Sequence, residues 1–283
     1  MSKSEGGSGV RYGMVIDVDK CTGCGACSVA CMTENNIGVL PDETNKIRSI
    51  TWLRVYQIDN GKPYPDTEVA FFPRPCQHCA GGTTGIFKDG FFLEDSDPDR
   101  HHTPCVSVCP ATATDYDDET GIVSQIPTRC IGCRYCVAAC PYHARYFNWY
   151  DVPWPKGLDR PLNPAVSARM RGVVEKCTFC IQRYQRAKQK SFVTGEDIGE
   201  MDYQTACAEA CPSGAITFGN LLDPEHKVYK LRKHPHAFRL LERLRTDPGV
   251  YYISRREWVK RKADNYLPGE KTVLLNRAAG SKK

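Results

Sequence analysis

Sixteen cysteines dominate the chemistry open to this 283-residue chain. They fall at 21, 24, 27, 31, 76, 79, 105, 109, 130, 133, 136, 140, 177, 180, 207 and 211, always in groups. "CTGCGACSVAC" (21–31, motif I) and "CIGCRYCVAACP" (130–141, motif III) share the spacing C-x2-C-x2-C-x3-C. "CQHC" (76–79) is followed, after 25 intervening residues, by "CVSVCP" (105–110), together motif II. "CTFC" (177–180) is followed, after 26 intervening residues, by "CAEACP" (207–212), together motif IV. Thiolates grouped in this way can close disulfides, hold zinc, or ligate a metal–sulfide cluster.

The first two uses fit poorly. Disulfide frameworks suit secreted domains too small to build a core, and cysteines three residues apart bridge badly. Zinc ribbons use two C-x2-C pairs held apart, not three cysteines in one tight run. The run C-x2-C-x2-C-x3-C-P is the ligand pattern of bacterial ferredoxins, in which the fourth cysteine serves the other cluster. Three thiolates in a loop carrying Gly23 and Gly25, or Gly132, can wrap one face of a cubane. The small residues let backbone N–H groups point at its sulfurs. Motifs II and IV are the same run stretched by an insert, and "CPATATDY" echoes "CPSGAITF" downstream. The pattern predicts four [4Fe–4S] clusters in two ferredoxin-like modules made by internal duplication.

Short elements must position these loops. "YGMVIDVD" (12–19) alternates like a strand entering motif I, and "WLRVYQI" (52–58) and "EVAFF" (68–72) read as strands before motif II. "GIFKDGFFLED" places Asp-Gly between apolar runs, a hairpin signal. "EKCTFCIQRYQRAKQ" is helical after its cysteines, with a basic face. "PHAFRLLERLRTDPG" predicts an amphipathic helix stopped by Asp-Pro-Gly, followed by a short strand "VYYIS". The fold class is α+β, two bacterial 2[4Fe–4S] modules with inserted hairpins and a C-terminal docking extension.

Hydrophobic residues make up 41%, so the chain can bury a core and disorder is not the default. The formal net charge of +5 counts every cysteine as neutral. Sixteen thiolates set against cubane cores of about +2 each bring the loaded protein to roughly −3. Much of the Lys and Arg excess therefore compensates cluster charge, and the basic stretch "KVYKLRKHPHAFRLLERLR" does not argue for nucleic acid. No stretch approaches 18 consecutive apolar residues, so no transmembrane segment is expected. "MSKSEGGSGVRYG" has no apolar h-region and reads as a flexible leader. Neither a haem-attachment C-x2-C-H nor a convincing nucleotide loop is present.

The sequence resembles the four-cluster iron–sulfur subunit of the molybdopterin oxidoreductase (dimethyl-sulfoxide reductase) superfamily complexes, over about residues 10 to 220 and all sixteen cysteines. "NPAVSARMRGVVEKCTFCIQR" and "HPHAFRLLERL" are similar to the iron–sulfur modules of alternative complex III and of the quinone reductase complex of sulfate reducers. The second fits better, because alternative complex III fuses the module to a larger domain and carries a three-iron cluster. The resemblance implies crossed ligand sets. Cys21, Cys24 and Cys27 would share a cluster with Cys211, and Cys177, Cys180 and Cys207 one with Cys31. Cys76, Cys79 and Cys105 would pair with Cys140, and Cys130, Cys133 and Cys136 with Cys109.

The same resemblance implies an architecture and a role. Residues 1–11 would be the leader, 12–60 with 165–220 the I/IV module, 61–164 the II/III module, and 221–283 the docking extension. The protein would be a non-catalytic electron wire in a membrane-bound respiratory complex. Its I/IV module would face a molybdopterin or molybdopterin-like subunit, or a multihaem cytochrome c. Its II/III module would lie nearer an integral membrane quinone-binding subunit. The periplasmic face is favoured, by co-export with a partner bearing a twin-arginine signal; the cytoplasmic face is the alternative. Competing roles are the same wire in a terminal reductase (for polysulfide, tetrathionate, arsenate or dimethyl sulfoxide) and a free-standing polyferredoxin.

Some residues outside the cysteine groups have two readings. His78 could tune a cluster through a hydrogen bond, or be a plain surface or packing histidine. His101 and His102 fit a solvated loop better than a metal site. Trp149 and Trp154 could form a docking surface or core. Arg183, Arg186 and Lys188 are expected on one exposed helical face.

Overall fold

The computed structural model describes residues 9–38, 50–81, 85–88, 91–94, 103–152, 154, 157, 162–166 and 170–264. Its largest sheet is built round β1 (Tyr12–Asp17), where the first five residues are buried. A strand covered on both faces reads as a continuous apolar run, as "YGMVI" does. Tyr12, Met14 and Ile16 join the main core, while Val15 points the other way to Leu221 and Val228.

β10 (Ile216–Asn220) lies antiparallel to β1, with Tyr12 opposite Asn220 and Ile16 opposite Ile216. β12 (Val250–Ile253) lies parallel on the other side, with Met14 opposite Val250. β11 (Ala237–Phe238) completes the order β10-β1-β12-β11. The chain beyond residue 220 thus contributes two strands to the sheet that holds the entry to motif I.

The remaining sheets are two-stranded ribbons. β2 (Arg54–Asp59) pairs with β3 (Val69–Arg74), and β4 (Gly85–Lys88) with β5 (Phe91–Glu94) in the hairpin that Asp-Gly signals. β6 (Thr114–Tyr116) pairs with β7 (Val123–Gln125), and β8 (Tyr146–Phe147) with β9 (Val174–Glu175).

Short helices carry the cysteines: α1 (Ala26–Glu34), α2 (Pro104–Ser107), α3 (Tyr135–Ala139), α4 (Ile181–Thr194) and α5 (Ala206–Glu209). α4 stops at Gly195, whose φ of 72° and N–H bond to Ser191 O (2.8 Å) form a left-handed cap. α6 (Lys227–Arg232) and α7 (Glu257–Asp264) complete the described elements.

One expectation is overturned. Residues 235–249 do not form an amphipathic helix; they supply β11, a single 3-10 turn (Glu242–Leu244) and left-handed residues at Leu241, Arg245 and Asp247. Tertiary demand outweighs helix propensity here. The backbone of this stretch binds the motif II loop, through Ala80 N to Asp247 O (3.0 Å), Gly81 N to Thr246 O (3.2 Å) and Gly249 N to Gln77 O (2.8 Å). The Tyr142 hydroxyl adds bonds to Leu240 O (3.2 Å) and the Thr246 hydroxyl (2.5 Å). A helix would draw the Leu240 carbonyl into its own ladder and exclude the left-handed residues Leu241 and Arg245.

Candidate metal centres

Each cysteine group is held by a local device. In motif I, Gly23 has φ of 71°, and a Cβ there would lie 2.5 Å from the Phe71 ring. In motif III, Gly132 has φ of 72°, and a Cβ would lie 2.3 Å from Gly172 O. Only glycine permits both the backbone and the close approach. Gly25 and Arg134, each left-handed, then turn the chain into α1 and α3. The third cysteines of the stretched motifs sit alike: Thr103 precedes α2 with Cys105, and Thr205 precedes α5 with Cys207.

The fold brings the sixteen thiols into four groups, each drawn from more than one motif. Cys21, Cys24, Cys27 and Cys211 line one cleft, beside Val55, Pro73 and Ile216. Cys109, Cys130, Cys133 and Cys136 line another. Cys31 is wholly buried against Cys177, Cys180 and Cys207. Cys79 is buried against Cys76, Cys105 and Cys140.

Whether these groups suit a cluster or an ion can be judged from the geometry. Among the described residues, no three His, Cys, Asp or Glu side chains close tightly enough to hold a single metal ion. The thiols of the Cys21 and Cys109 groups instead surround a space, as the wider core of an iron–sulfur cubane requires. N–H donors also face the sulfurs: Ala113 N lies 3.2 Å from Cys109 Sγ, Val174 N 3.4 Å from Cys130 Sγ, and Asn35 Nδ2 3.7 Å from Cys31 Sγ. The donor set fits a [4Fe–4S] cluster in each group.

Electrostatics separate the thiols into two kinds. Burial, with neighbouring thiols, pushes Cys27 and Cys177 up to about 12 and Cys140 to about 11. Burial also acts on Cys109 and Cys211, but hydrogen bonds outweigh it and hold both below the ordinary thiol value. The donors are the N–H groups of residues 111, 113 and 114 with the Thr114 hydroxyl in one case, and the Ser213 hydroxyl with the N–H groups of 213, 215 and 216 in the other. The echo between "CPATATDY" and "CPSGAITF" is therefore one structure used twice, a nest of N–H groups around the last cysteine.

The groups follow one another in space. Cys27 neighbours Cys31 and Cys207, Cys177 neighbours Cys76, and Cys136 neighbours Cys105. The order is therefore the Cys21 group, the Cys31 group, the Cys79 group and the Cys109 group. Cys24 and Cys133, in the first and last, are exposed; every cysteine of the two middle groups is buried.

Three comparisons with described protein families fall on these motifs. A 4Fe-4S binding domain matches residues 12–33, and 4Fe-4S dicluster domains match 95–157 and 129–215. The chain is 56% identical to the menaquinone reductase iron–sulfur cluster-binding subunit of Nitratidesulfovibrio vulgaris, over 93% of this chain and 96% of that one. The chain belongs to the iron–sulfur subunits of the dimethyl-sulfoxide reductase superfamily complexes.

More distant members include the Hdr-like menaquinol oxidoreductase iron–sulfur subunit 1 of Archaeoglobus fulgidus, 34% identical over 86% of this chain and 82% of that one. The protein NrfC of Escherichia coli is 32% identical, over 87% of this chain and 82% of its own length. As in the family, this chain is an electron-transfer subunit that carries multiple [4Fe–4S] clusters. No helix among the described residues is long and apolar enough to cross a membrane.

The remaining residues singled out in the sequence have these places. His78 is buried, not on the surface. Arg183 departs from the exposed face expected of it: it binds Glu34 (2.8 Å) and Glu209 (2.7 Å), tying α4 to α1 and α5. Arg186 is exposed, and Lys188 pairs with Glu119 at 3.4 Å. Trp149 is exposed with Arg134 over its ring; Trp154 is half-buried. His101 and His102 lie outside the described residues. Sequence reasoning missed two buried cations, Lys176 and Arg145. The signal was a basic residue set among motif residues in "VEKC" and "HARYF".

Proposed function

We propose that this chain is a four-cluster electron wire joining an integral membrane quinone-binding subunit to a molybdopterin-like or cytochrome c partner. The observation that carries this reading is the linear order of the thiol groups, open at Cys24 and Cys133 and buried between them. A [4Fe–4S] cluster supplies a one-electron couple, so four in a row connect two-electron chemistry on separate partners. The ligand sets are Cys21/Cys24/Cys27/Cys211, Cys31/Cys177/Cys180/Cys207, Cys76/Cys79/Cys105/Cys140 and Cys109/Cys130/Cys133/Cys136. The residues around the middle sets exclude water and hold the thiolates in place, and the two ends make the contacts with partners.

The II/III module forms the quinone-side end. Ile131 and Tyr135, flanking Cys133, are exposed at 68% and 63%, and Trp149 stands beside them under Arg134. Exposed apolar and aromatic residues next to an open cluster suit docking more than diffusion in water. The name of the Nitratidesulfovibrio relative makes menaquinone the leading quinone. The two modules arose by duplication, the chain beyond residue 220 supports docking, and the complex works at the periplasmic face.

Iron and acid-labile sulfide measured on the purified native complex test the reading. The expected content is about sixteen of each per copy of this chain, after subtraction of any partner's clusters. Near-stoichiometric zinc with little sulfide would overturn it.

A further inference from the structure

Arg145, in "CPYHARYF", is 4% exposed. Its Nη1 donates to two neutral oxygens, Thr114 Oγ1 (3.0 Å) and Gln125 Oε1 (2.7 Å). Nε and Nη2 are buried without such partners. The other neighbours of the guanidinium are the thiols of Cys105 and Cys136, with Cys76 further along. Burial alone would lower its proton affinity, yet those thiols raise it above the ordinary arginine value. Cys105 and Cys136 belong to different groups, so one cation serves both.

A buried charge is costly unless an opposite charge faces it. The negative charge that Arg145 meets is that of the cysteine groups. The I/IV module has the same approach of third cysteines, Cys27 and Cys207, but there burial and neighbouring thiols raise both. Cations approach that module too, Lys176 beside Cys177 and Arg183 near Cys180, but the main groups acting on Cys27 and Cys207 include no cation. A guanidinium shared by the two third cysteines is therefore a feature of the II/III pair and not of the repeated motif.

Resting on the four-cluster reading above, we propose that Arg145 is a positioning residue for electron transfer, a fixed cation between the two clusters of the II/III module that raises the reduction potential of both. Arginine keeps its proton at any working pH, so the charge is constant and no proton accompanies the electron. Each reduction adds one negative charge to a cluster, and a positive charge held by the flanking thiolates favours that step. One cation acting on both clusters keeps their potentials together, so an electron entering the pair meets no large uphill step.

The test is a redox titration of the intact complex, read by low-temperature electron paramagnetic resonance. In Arg145→Gln the two II/III midpoints should fall by about tenfold in the one-electron equilibrium, ~59 mV. The two I/IV midpoints should stay where they are, and Arg145→Lys should restore most of the shift. Should Arg145→Gln fail to load its clusters, Gln125→Glu replaces it. That variant sets a carboxylate on the same guanidinium and should lower the same two midpoints. Full cluster content with all four midpoints unchanged in either variant would overturn the proposal. So would a shift shared equally by all four clusters, or a shift that Arg145→Lys reproduces in full. A wild-type complex lacking iron and sulfide would instead remove the four-cluster reading itself.

Discussion

His78 and Phe179 stack face to face, with ring centroids 3.5 Å apart and planes 12° from parallel. Each precedes the second cysteine of its C-x2-C pair, and each has positive φ, 44° and 54°. The stack therefore lies between the Cys31 and Cys79 groups, at the approach of Cys76 to Cys177. Burial first, and then the charges of Lys176 and Arg145, hold His78 well below its ordinary value, so it is neutral. Its Nδ1 accepts the Val123 N–H (3.1 Å), which fixes the ring. The two cysteine pairs are held in register by packing, not by covalent linkage.

Phe179 is fully buried and also touches Phe218 edge-on, at 5.2 Å. Phe179→Ala should cost about 3–5 kcal/mol, and Phe179→Leu distinctly less. Urea unfolding followed by visible absorbance of the clusters checks this. A midpoint unchanged in the alanine variant would mean the junction does not depend on the ring.

Glu34 on α1 accepts Arg183 Nη2 (2.8 Å) and Gln182 Nε2 (2.8 Å) from α4. Burial works to raise its carboxyl, but these bonds win and hold it below the ordinary 4.5. A depressed carboxyl contributes stability above its unfolded value and loses it as pH falls through the folded one. Glu34→Gln should therefore cost about 1–2 kcal/mol at pH 7. The deficit should shrink as pH drops below about 4.5. Unfolding curves at several pH values measure the convergence; parallel curves down to the lowest pH would contradict it.

The strands at 12–17, 54–59, 69–74 and 250–253, the 85–94 hairpin and the 181–194 helix were legible because local pattern and turn chemistry set them. The pairing of β12 with β1 was not, since pairing across more than 200 residues leaves no local trace. "PHAFRLLERLRTDPG" misled for a related reason: its carbonyls are committed to a distant loop. The cysteine groups announced their chemistry through spacing alone. Arg145 and Lys176 did not, because a basic residue in sequence looks like surface until the thiols around it are seen.

Cys133 is exposed at the rim of its cleft, while Cys136 of the same group is buried. Cys133→Ala should leave one iron corner without a protein ligand and free to dissociate. The result expected is a [3Fe–4S] centre in an otherwise folded chain, with its potential shifted because cluster type and charge set it. Oxidised-state electron paramagnetic resonance shows that centre directly. Four unaltered cubanes in the variant would remove Cys133 from the ligands.

Stripping the clusters should unfold the chain. Cys31, Cys79 and Cys207 would become buried neutral thiols, since burial with neighbouring thiols raises all three well above the ordinary value. Arg145 would lose its counter-charge. Lys176 is fully buried, with Nζ bonded to Val123 O and to Cys177 O (2.6 Å), beside the Cys177 thiol. Binding energy of the metal clusters is thus folding energy. Oxidation with ferricyanide and a chelator, followed by far-ultraviolet circular dichroism, should show cooperative loss of structure. Retention of the native spectrum after complete iron loss would refute this.

The most direct test of the wire is an anomalous-scattering map of the native complex at the iron edge. The account predicts four compact iron peaks in one row within this chain, in the order set by Cys27–Cys207, Cys177–Cys76 and Cys136–Cys105. Cys211 should reach the first peak and Cys109 the last. Peaks each ligated by the cysteines of a single motif, a branched arrangement, or anomalous signal at the zinc edge instead would contradict it.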